Sequence, residues 1–396
     1  MRVAIVIPSY NHARYIARAL DSCLSQTRPA QRIIVLDDGS LDDSVEIIRS
    51  YAARGVEHVT QGNRGAHAAV NQLVDMASVD CDVISILNSD DHYAPDRLAK
   101  CLPLLDAGDG AAVVCSGVKV IDECDAPLPA EAPRAKWFRA AWSWSSLAER
   151  DLVEWLALAN FPATSSNIIG RTDFLRRHPF KPHRYCHDYA FLVQAGLRGA
   201  LTLHSEALIN YRVHATNTMN TNPEPLLRDS ILMHLHLLRD LAPELQDDEA
   251  LRRRLYDYSR MAWDNISSFH AGLFQVALAG LIMEANDEVL AAAVQGLSAA
   301  RLPELQRYPN RASVNLWDEA APLGRTPTLA EKYDALKREN KLLKAENKSW
   351  GEAARLWARA AGSRRRAMQL LLGWWKPPCA KTPPEAQIRS LREPRL

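Results

Sequence analysis

The chain has 396 residues, 47% hydrophobic and 24% charged, with a formal net charge of +1. That length fits two domains, or one large domain with appendages, with ample apolar material for a core, and the near-neutral balance excludes a global field for nucleic acid. The seven cysteines are odd in number and include no Cys-x-x-Cys pair, which argues against a disulfide framework or zinc site and for a reducing, cytoplasmic compartment.

The first apolar run, Val3 to Ile7, stops at Pro8 and is too short for a signal peptide. It reads as a buried strand, followed by a helix over Ala13 to Ser25 with apolar residues at helical spacing. Ile33 to Leu36 is a second buried strand, ending in Asp37-Asp38-Gly39-Ser40. A helix then runs from Asp42 to about Arg54, closed by Gly55. Val56 to Thr60 is a short strand, and Asn63-Arg64-Gly65 a turn into a helix over Ala66 to Met76. Val83 to Leu87 is apolar on both parities, as in a strand covered on both faces, and runs into Asn88-Ser89-Asp90-Asp91. A helix follows Pro95, then a strand over Ala111 to Ser116.

Alternating strands and helices, joined by connections too long for hairpins, specify an α/β fold with a mostly parallel sheet and flanking helices. In such a sheet the carboxyl ends of the strands share one edge, where open α/β sheets bind ligands. Asp37-Asp38 and Asp90-Asp91 therefore face one cleft. Two adjacent unshielded acids repel each other, and a divalent cation with oxygen ligands is the natural partner for them; a solvated turn is the alternative.

Residues Asp122 to Leu158 are irregular and rich in Pro and Trp (Trp137, Trp142, Trp144, Trp155), as expected of a partly helical insertion over the cleft. Short strands are expected at Ile168-Ile169 and over Ala207 to Val213, with a helix over Asp188 to Ala195. Past Pro223 the strand signal ends. The expected organisation is an α/β domain over 1–222, a helical domain over 223–302, a linker over 303–328, a coiled coil over 329–350 and a basic, Trp-bearing tail over 351–396. The longest apolar stretch, Leu273 to Met283, is too short for a membrane span. Leu329, Leu336, Leu343 and Trp350 recur every seven residues, with Tyr333, Asn340 and Asn347 between them, which predicts homo-oligomerisation through a short parallel coiled coil. In the tail, Arg364-Arg365-Arg366 beside Leu370 to Trp375 suits peripheral contact with an anionic membrane, or packing on the protein.

Six motifs occur in order: Val6 to His12 (Val-Ile-Pro-Ser-Tyr-Asn-His), Asp37 to Ser40, Asn63-Arg64-Gly65 with Asn71, Asn88 to Asp91, His187-Asp188, and Tyr211-Arg212-Val213-His214. Over roughly residues 1–220 the chain resembles a family 2 glycosyltransferase of the GT-A fold. The resemblance implies an inverting transferase that uses a nucleoside-diphosphate sugar, UDP-linked by family frequency, and a divalent metal (Mn2+ or Mg2+). Its acceptor would be a glycan or lipid-linked acceptor, such as a growing surface polysaccharide. It also implies that Pro8, Tyr10, Asp37 and Asp38 hold the nucleoside, that Arg64 and Gly65 meet phosphate, and that Asp91 binds the metal with Asp90 beside it on the sugar or ribose. Asp188 resembles the catalytic base, His187 its acceptor-side neighbour, and His214 a histidine that can approach the metal or diphosphate. Thr164 and Ser165 fall in the acceptor-side segment. Asn88 and His187 stand where many relatives carry acids. The rival readings are a catalytically degenerate domain serving as a coiled-coil scaffold, and a nucleotidyltransferase. The latter usually carries a Gly-rich basic loop where this chain has Ser9 to His12.

Overall fold

The computed structural model describes residues 1–258 apart from 108–109, 146–151, 159, 216, 218–222, 242, 245–247, 252–253 and 256–257. The linker, the coiled coil over 329–350, the tail and the helical domain beyond residue 258 lie outside the described residues.

In chain order the elements are β1 (Val3–Ser9), α1 (Ile16–Leu24), β2 (Arg32–Asp37), α2 (Ser44–Ser50), β3 (Val56–Thr60), α3 (Ala66–Ala77), β4 (Val83–Ile86), β5 (His92–Tyr93), α4 (Arg97–Asp106), β6 (Val113–Ile121), α5 (Pro133–Ser145), α6 (Leu152–Leu158), β7 (Ile169–Arg171), α7 (Thr172–Arg177), α8 (His187–Leu197), β8 (Leu201–Arg212) and α9 (Pro223–Leu241). The eight strands form one sheet in the order β3-β2-β1-β4-β7-β6-β8-β5.

The buried strands follow from their apolar runs. Val3 to Ile7 are almost wholly buried on both parities because helices cover both faces of β1. On one face Ile5 and Ile7 share a core cluster with Ile16, Ala19, Leu20 and Cys23 of α1. These four recur at i, i+3, i+4 and i+7, so a single stripe of α1 is apolar. On the other face α3 packs on β1 and β2.

The sheet is mixed rather than simply parallel. β1 pairs in parallel with β2 and β4, β2 with β3, and β6 with β8. β7 runs antiparallel to both β4 and β6, and β5 antiparallel to β8. The short β7 has too few residues to carry a direction in its pattern; the turn over 165–167 sets it. Because β7 opposes both neighbours, β6 and β8 point the same way as β4. The ends of β1, β2, β4, β6 and β8 therefore share one edge, and α8, which returns to the start of β8, begins at that edge.

The tryptophan insertion, expected to be partly helical, contains two helices, α5 and α6, and α6 buries Trp155. β8 starts at Leu201 rather than Ala207, lengthened by pairing with β6. The two-residue β5 and the helix α7 had no sequence signal, since both are too short for periodicity to register. At Gly117 the β6–β8 register shifts, and an added Cβ would lie 3.0 Å from the Ala207 backbone, so the two strands meet there without room for a side chain.

Candidate active site

The loop after β1 is laced to the loop after β2. The Asn11 N–H donates to Ser40 Oγ (2.8 Å), the Leu41 N–H to Asn11 Oδ1 (2.8 Å), the Ala13 N–H to Asp42 Oδ2 (2.9 Å) and the His12 N–H to Ser44 Oγ (3.0 Å). Asn11 accepts a left-handed φ of 54° to make this clasp. Pro8 lies within β1, and Tyr10 stands out on the rim, 43% exposed.

Asp37 and Asp38 have separate tasks. Asp37 accepts from the Ser40 N–H (2.8 Å) and the Ser40 hydroxyl (2.6 Å), capping its own turn. Asp38 accepts from the backbone N–H groups of Arg64 (2.9 Å) and Gly65 (2.8 Å) and from Gln61 Nε2 (2.7 Å). It thereby fixes the turn that opens α3, where Gly65 takes a φ of 86°. The Arg64 side chain remains exposed.

The paired acids after β4 point in different directions. His214 Nε2 lies 3.0 Å from Asp90 Oδ2, and His12 Nε2 lies 4.0 Å from the same oxygen. His12 is oriented through Nδ1, 2.7 Å from Ser89 Oγ. Burial works against the charge of Asp90, but the hydrogen bond from His214 and the charges of His12 and His214 outweigh it and hold the carboxyl below its ordinary pKa. His12, Asp90 and His214 each offer one ligand atom, all within 4.8 Å of one another.

Asp91 faces the interior instead. Its Oδ1 accepts the Arg212 N–H (2.9 Å) and its Oδ2 the Ser166 hydroxyl (2.6 Å). Burial, and then the charge of Asp90, push its pKa well up. The resemblance implied Asp91 for the metal with Asp90 beside it; in the structure it is Asp90 that meets the two histidines. Both Asp91 oxygens are spent on the scaffold, while Asp90 joins the histidines. Sequence adjacency did not reveal this, because the turn after β4 sends neighbouring side chains to opposite sides.

Arg212, 2% exposed, holds this turn. It donates to the Asp90 carbonyl (2.8 Å), the Asp122 carbonyl (3.0 Å) and Asp125 Oδ1 (2.5 Å), and its guanidinium lies 4.8 Å from the centre of the Tyr15 ring. Tyr15 in turn packs against His214, ring centres 5.0 Å apart.

Asn88 ties the turn after β4 to the segment before β7. Its Nδ2 donates to Thr164 Oγ1 (3.0 Å), and its Oδ1 accepts from Ser165 Oγ (2.8 Å). Thr164 and Ser165 are buried, and both hydroxyls meet Asn88. Beneath them the buried Arg97 donates to Ser116 Oγ (2.6 Å) and to the Asn167 carbonyl (2.9 Å).

Asp188 sits in the first turn of α8, 8% exposed. One oxygen accepts its neighbour Tyr189's N–H (2.7 Å), and the other lies 3.5 Å from Asn160 Nδ2. Burial raises its pKa, and the charge of His187 opposes this only in part. Burial pushes the pKa of the half-buried Tyr211 phenol up, and the charges of Asp91, Asp90 and Asp188 add to this against that of Arg134. His187 is half-buried beside Phe180, ring centres 6.4 Å apart. The sequence motifs include His12 and Arg212 without a role for either, the acceptor-side segment includes Ser166 as a sugar-hydroxyl contact rather than a partner of Asp91, and Asn160 carries no signal. The rule that strand ends collect ligands was enough to find His12.

The arrangement is a nitrogen-and-oxygen donor set at a strand edge, with the buried Asp188 carboxylate on the helix that begins at the same edge. Residues 4–178 match the family model "Glycosyl transferase family 2". The chain is 27% identical over 225 residues to an uncharacterized glycosyltransferase of Nostoc sp., a match spanning 55% of this chain and 66% of that protein. A shorter segment of 102 residues is 36% identical to the chondroitin synthase of Escherichia coli, covering 25% of this chain and 15% of that one. Among solved structures, Staphylococcus aureus TarS 1-349 in complex with UDP-GlcNAc matches at 17% identity with a TM-score of 0.48, covering 79% of this chain and 88% of that one.

Proposed function

Residues 4–178 are a family 2 glycosyltransferase domain, and from that premise we propose that the chain is an inverting transferase. It moves a sugar from a nucleoside-diphosphate sugar, UDP-linked by preference, to a hydroxyl of a glycan or lipid-linked acceptor. The observation that carries this reading is the meeting of Asp90, His12 and His214 at the edge of the sheet that also receives Asp188.

The residues present fit a divalent metal. Asp90 is held ionised, and two imidazoles complete a mixed nitrogen and oxygen donor set, which suits Mn2+ better than the all-oxygen preference of Mg2+. Asp90, His214 and His12 would hold the ion, which when bound neutralises charge building on the leaving diphosphate. Asp91, Ser166 and Arg212 keep the turn rigid, so that Asp90 needs no reorganisation.

Asp188 serves as the general base. It takes the proton of the acceptor hydroxyl as that oxygen bonds to the anomeric carbon and the carbon–oxygen bond to the diphosphate breaks, which inverts the configuration. Its burial strengthens it as a base, and Asn160 and the Tyr189 N–H orient it. Tyr10 and Pro8 border the nucleoside side, and Asp38 shapes the Arg64-Gly65 turn toward the diphosphate. The cytoplasmic location, the oligomer through 329–350 and the membrane-peripheral tail belong to the same proposal. A screen of nucleotide-sugar hydrolysis with Mn2+, paired with calorimetry of UDP binding, tests it. Metal-dependent UDP binding is expected, and a chain that binds neither UDP nor metal is a scaffold.

A further inference from the structure

We propose that the imidazoles of His67, His183 and His187 form a subsite for a phosphate group on the acceptor. The inference rests on the transferase reading and narrows it: the acceptor is a phosphate ester or phosphodiester, with the hydroxyl near that phosphate delivered to Asp188.

The three histidines come from α3, from the loop before α8 and from the first position of α8, at the edge of the sheet that carries the other site residues. One seam joins them. Asn71 of α3 makes a two-way pair with Phe180: the Phe180 N–H donates to Asn71 Oδ1 (2.9 Å), and Asn71 Nδ2 donates to the Phe180 carbonyl (2.8 Å). His67 precedes Asn71 by four positions, so it shares that face of α3, one turn nearer the cleft. Phe180 stacks on Phe191 of α8 (4.6 Å) and borders His187.

His183 is 2% exposed. Its Nδ1 lies 3.3 Å from Asp229 Oδ1 on α9, and Asp229 Oδ2 accepts the N–H groups of Tyr185 (2.6 Å) and Cys186 (3.0 Å). That carboxylate holds the Nδ1 side of the ring, and His236 of the same helix packs against it, ring centres 5.2 Å apart. His183 Nε2 is buried with no hydrogen-bond partner, and so is His187 Nδ1. Buried polar atoms are nearly always satisfied, so two such nitrogens in one seam mark a place for a ligand.

Charge indicates which ligand. Burial, and then the charges of His187 and His183, disfavour a proton on His67; the charge of Asp38 opposes them and that of Arg64 adds to them. Imidazoles close enough to repel one another when protonated are relieved by an anion between them. Among the described residues, the one group of three ligand atoms within 4.8 Å is His12, Asp90 and His214, so these rings stand too far apart to close on a metal. Donors spread over separate elements suit a tetrahedral oxyanion, whose oxygens point in different directions. His187 is bonded in sequence to Asp188, so a phosphate held here brings its ester to the base.

The test is calorimetry on the full chain with glycerol 3-phosphate as the probe, run alone and after saturation with UDP and Mg2+. Glycerol and acetate serve as neutral and carboxylate controls. The expected result is that glycerol 3-phosphate binds in both states and neither control binds. His67→Gln and His183→Gln should each weaken probe binding about tenfold or more while UDP binding is unchanged. His67 is half-buried, so its variant keeps the test valid if the buried His183→Gln fails to fold. Displacement of the probe by UDP, acetate binding as tightly as the probe, or undiminished binding in His67→Gln overturns the proposal. A chain that binds the probe through these histidines but never binds UDP overturns the donor reading instead.

Discussion

His214 Nε2 lies 3.0 Å from Asp90 Oδ2, although 124 positions separate the two residues. The contact exists because β4 and β8 end at the same edge and Arg212, two residues before His214, is bonded to the Asp90 carbonyl. The first prediction follows from it. Asp90→Asn removes the anion from the cluster and should lower metal-activated turnover by about 10²–10³-fold. Asp91→Asn should leave the affinity for Mn2+ within a few-fold, because both oxygens of Asp91 already serve Ser166 and Arg212. Mn2+ titration in the presence of UDP distinguishes the two variants. Equal loss in both would return the metal to Asp91.

Asp188→Asn should lower transfer by about 10²–10⁴-fold while UDP and metal binding persist. The same variant should be more stable than the parent at neutral pH. The folded pKa of Asp188 is raised by burial, so between the unfolded and folded values the folded state binds the extra proton. Stability from this group therefore falls as pH rises through that window, and asparagine removes the loss. Thermal midpoints of both proteins across pH check the sign.

The same shift governs rate. The base must be ionised, so the acidic limb of kcat/KM should lie above the ordinary carboxylate range and activity should fall as pH drops through it. A limb near the model-peptide value of 3.8 would mean that another group sets it.

Arg212→Met keeps a long apolar stem but leaves the Asp90 and Asp122 carbonyls and Asp125 without their donor. A loss of about 3 kcal/mol is expected from denaturant unfolding, tempered by the partial exposure of Asp125. Metal affinity should fall with it, since the turn carrying Asp90 loses its brace.

Gly117→Ala should destabilise the fold by about 1–3 kcal/mol, because the new Cβ meets Ala207 backbone at 3.0 Å and neither strand can yield freely. A shifted denaturant midpoint with unchanged slope would report this.

Truncation at Pro327 removes the heptad of Leu329, Leu336 and Leu343, and should reduce the mass in solution to that of one chain. Light scattering before and after truncation measures it, and unchanged mass would end the coiled-coil reading.

Much of the first half of the fold could be read from pattern alone. Val3 to Ile7, Ile33 to Leu36 and Val83 to Ile86 are apolar on both parities, which only a strand covered on both faces requires. Asp37 and Asp38 were legible as a strand-end pair, but their division between the Ser40 turn and the Gly65 turn was not, since three of their five donors are backbone N–H groups that every residue but proline carries. Helix was expected among the tryptophans, but prolines and irregular spacing hid the bounds of α5 and α6.

What the sequence by itself determined is the class: an alternating α/β chain with acids at its strand ends and a candidate base at a helix start, because periodicity and residue chemistry are local properties. What only the tertiary structure decided is who works with whom. Asp90 rather than Asp91 meets His214 and His12, Asn88 binds Thr164 and Ser165, and Asn71 binds the Phe180 backbone. Those pairings depend on the direction of β7 and on which way a two-residue turn faces. Neither is encoded in any one segment; both are set when the whole sheet closes its hydrogen bonds.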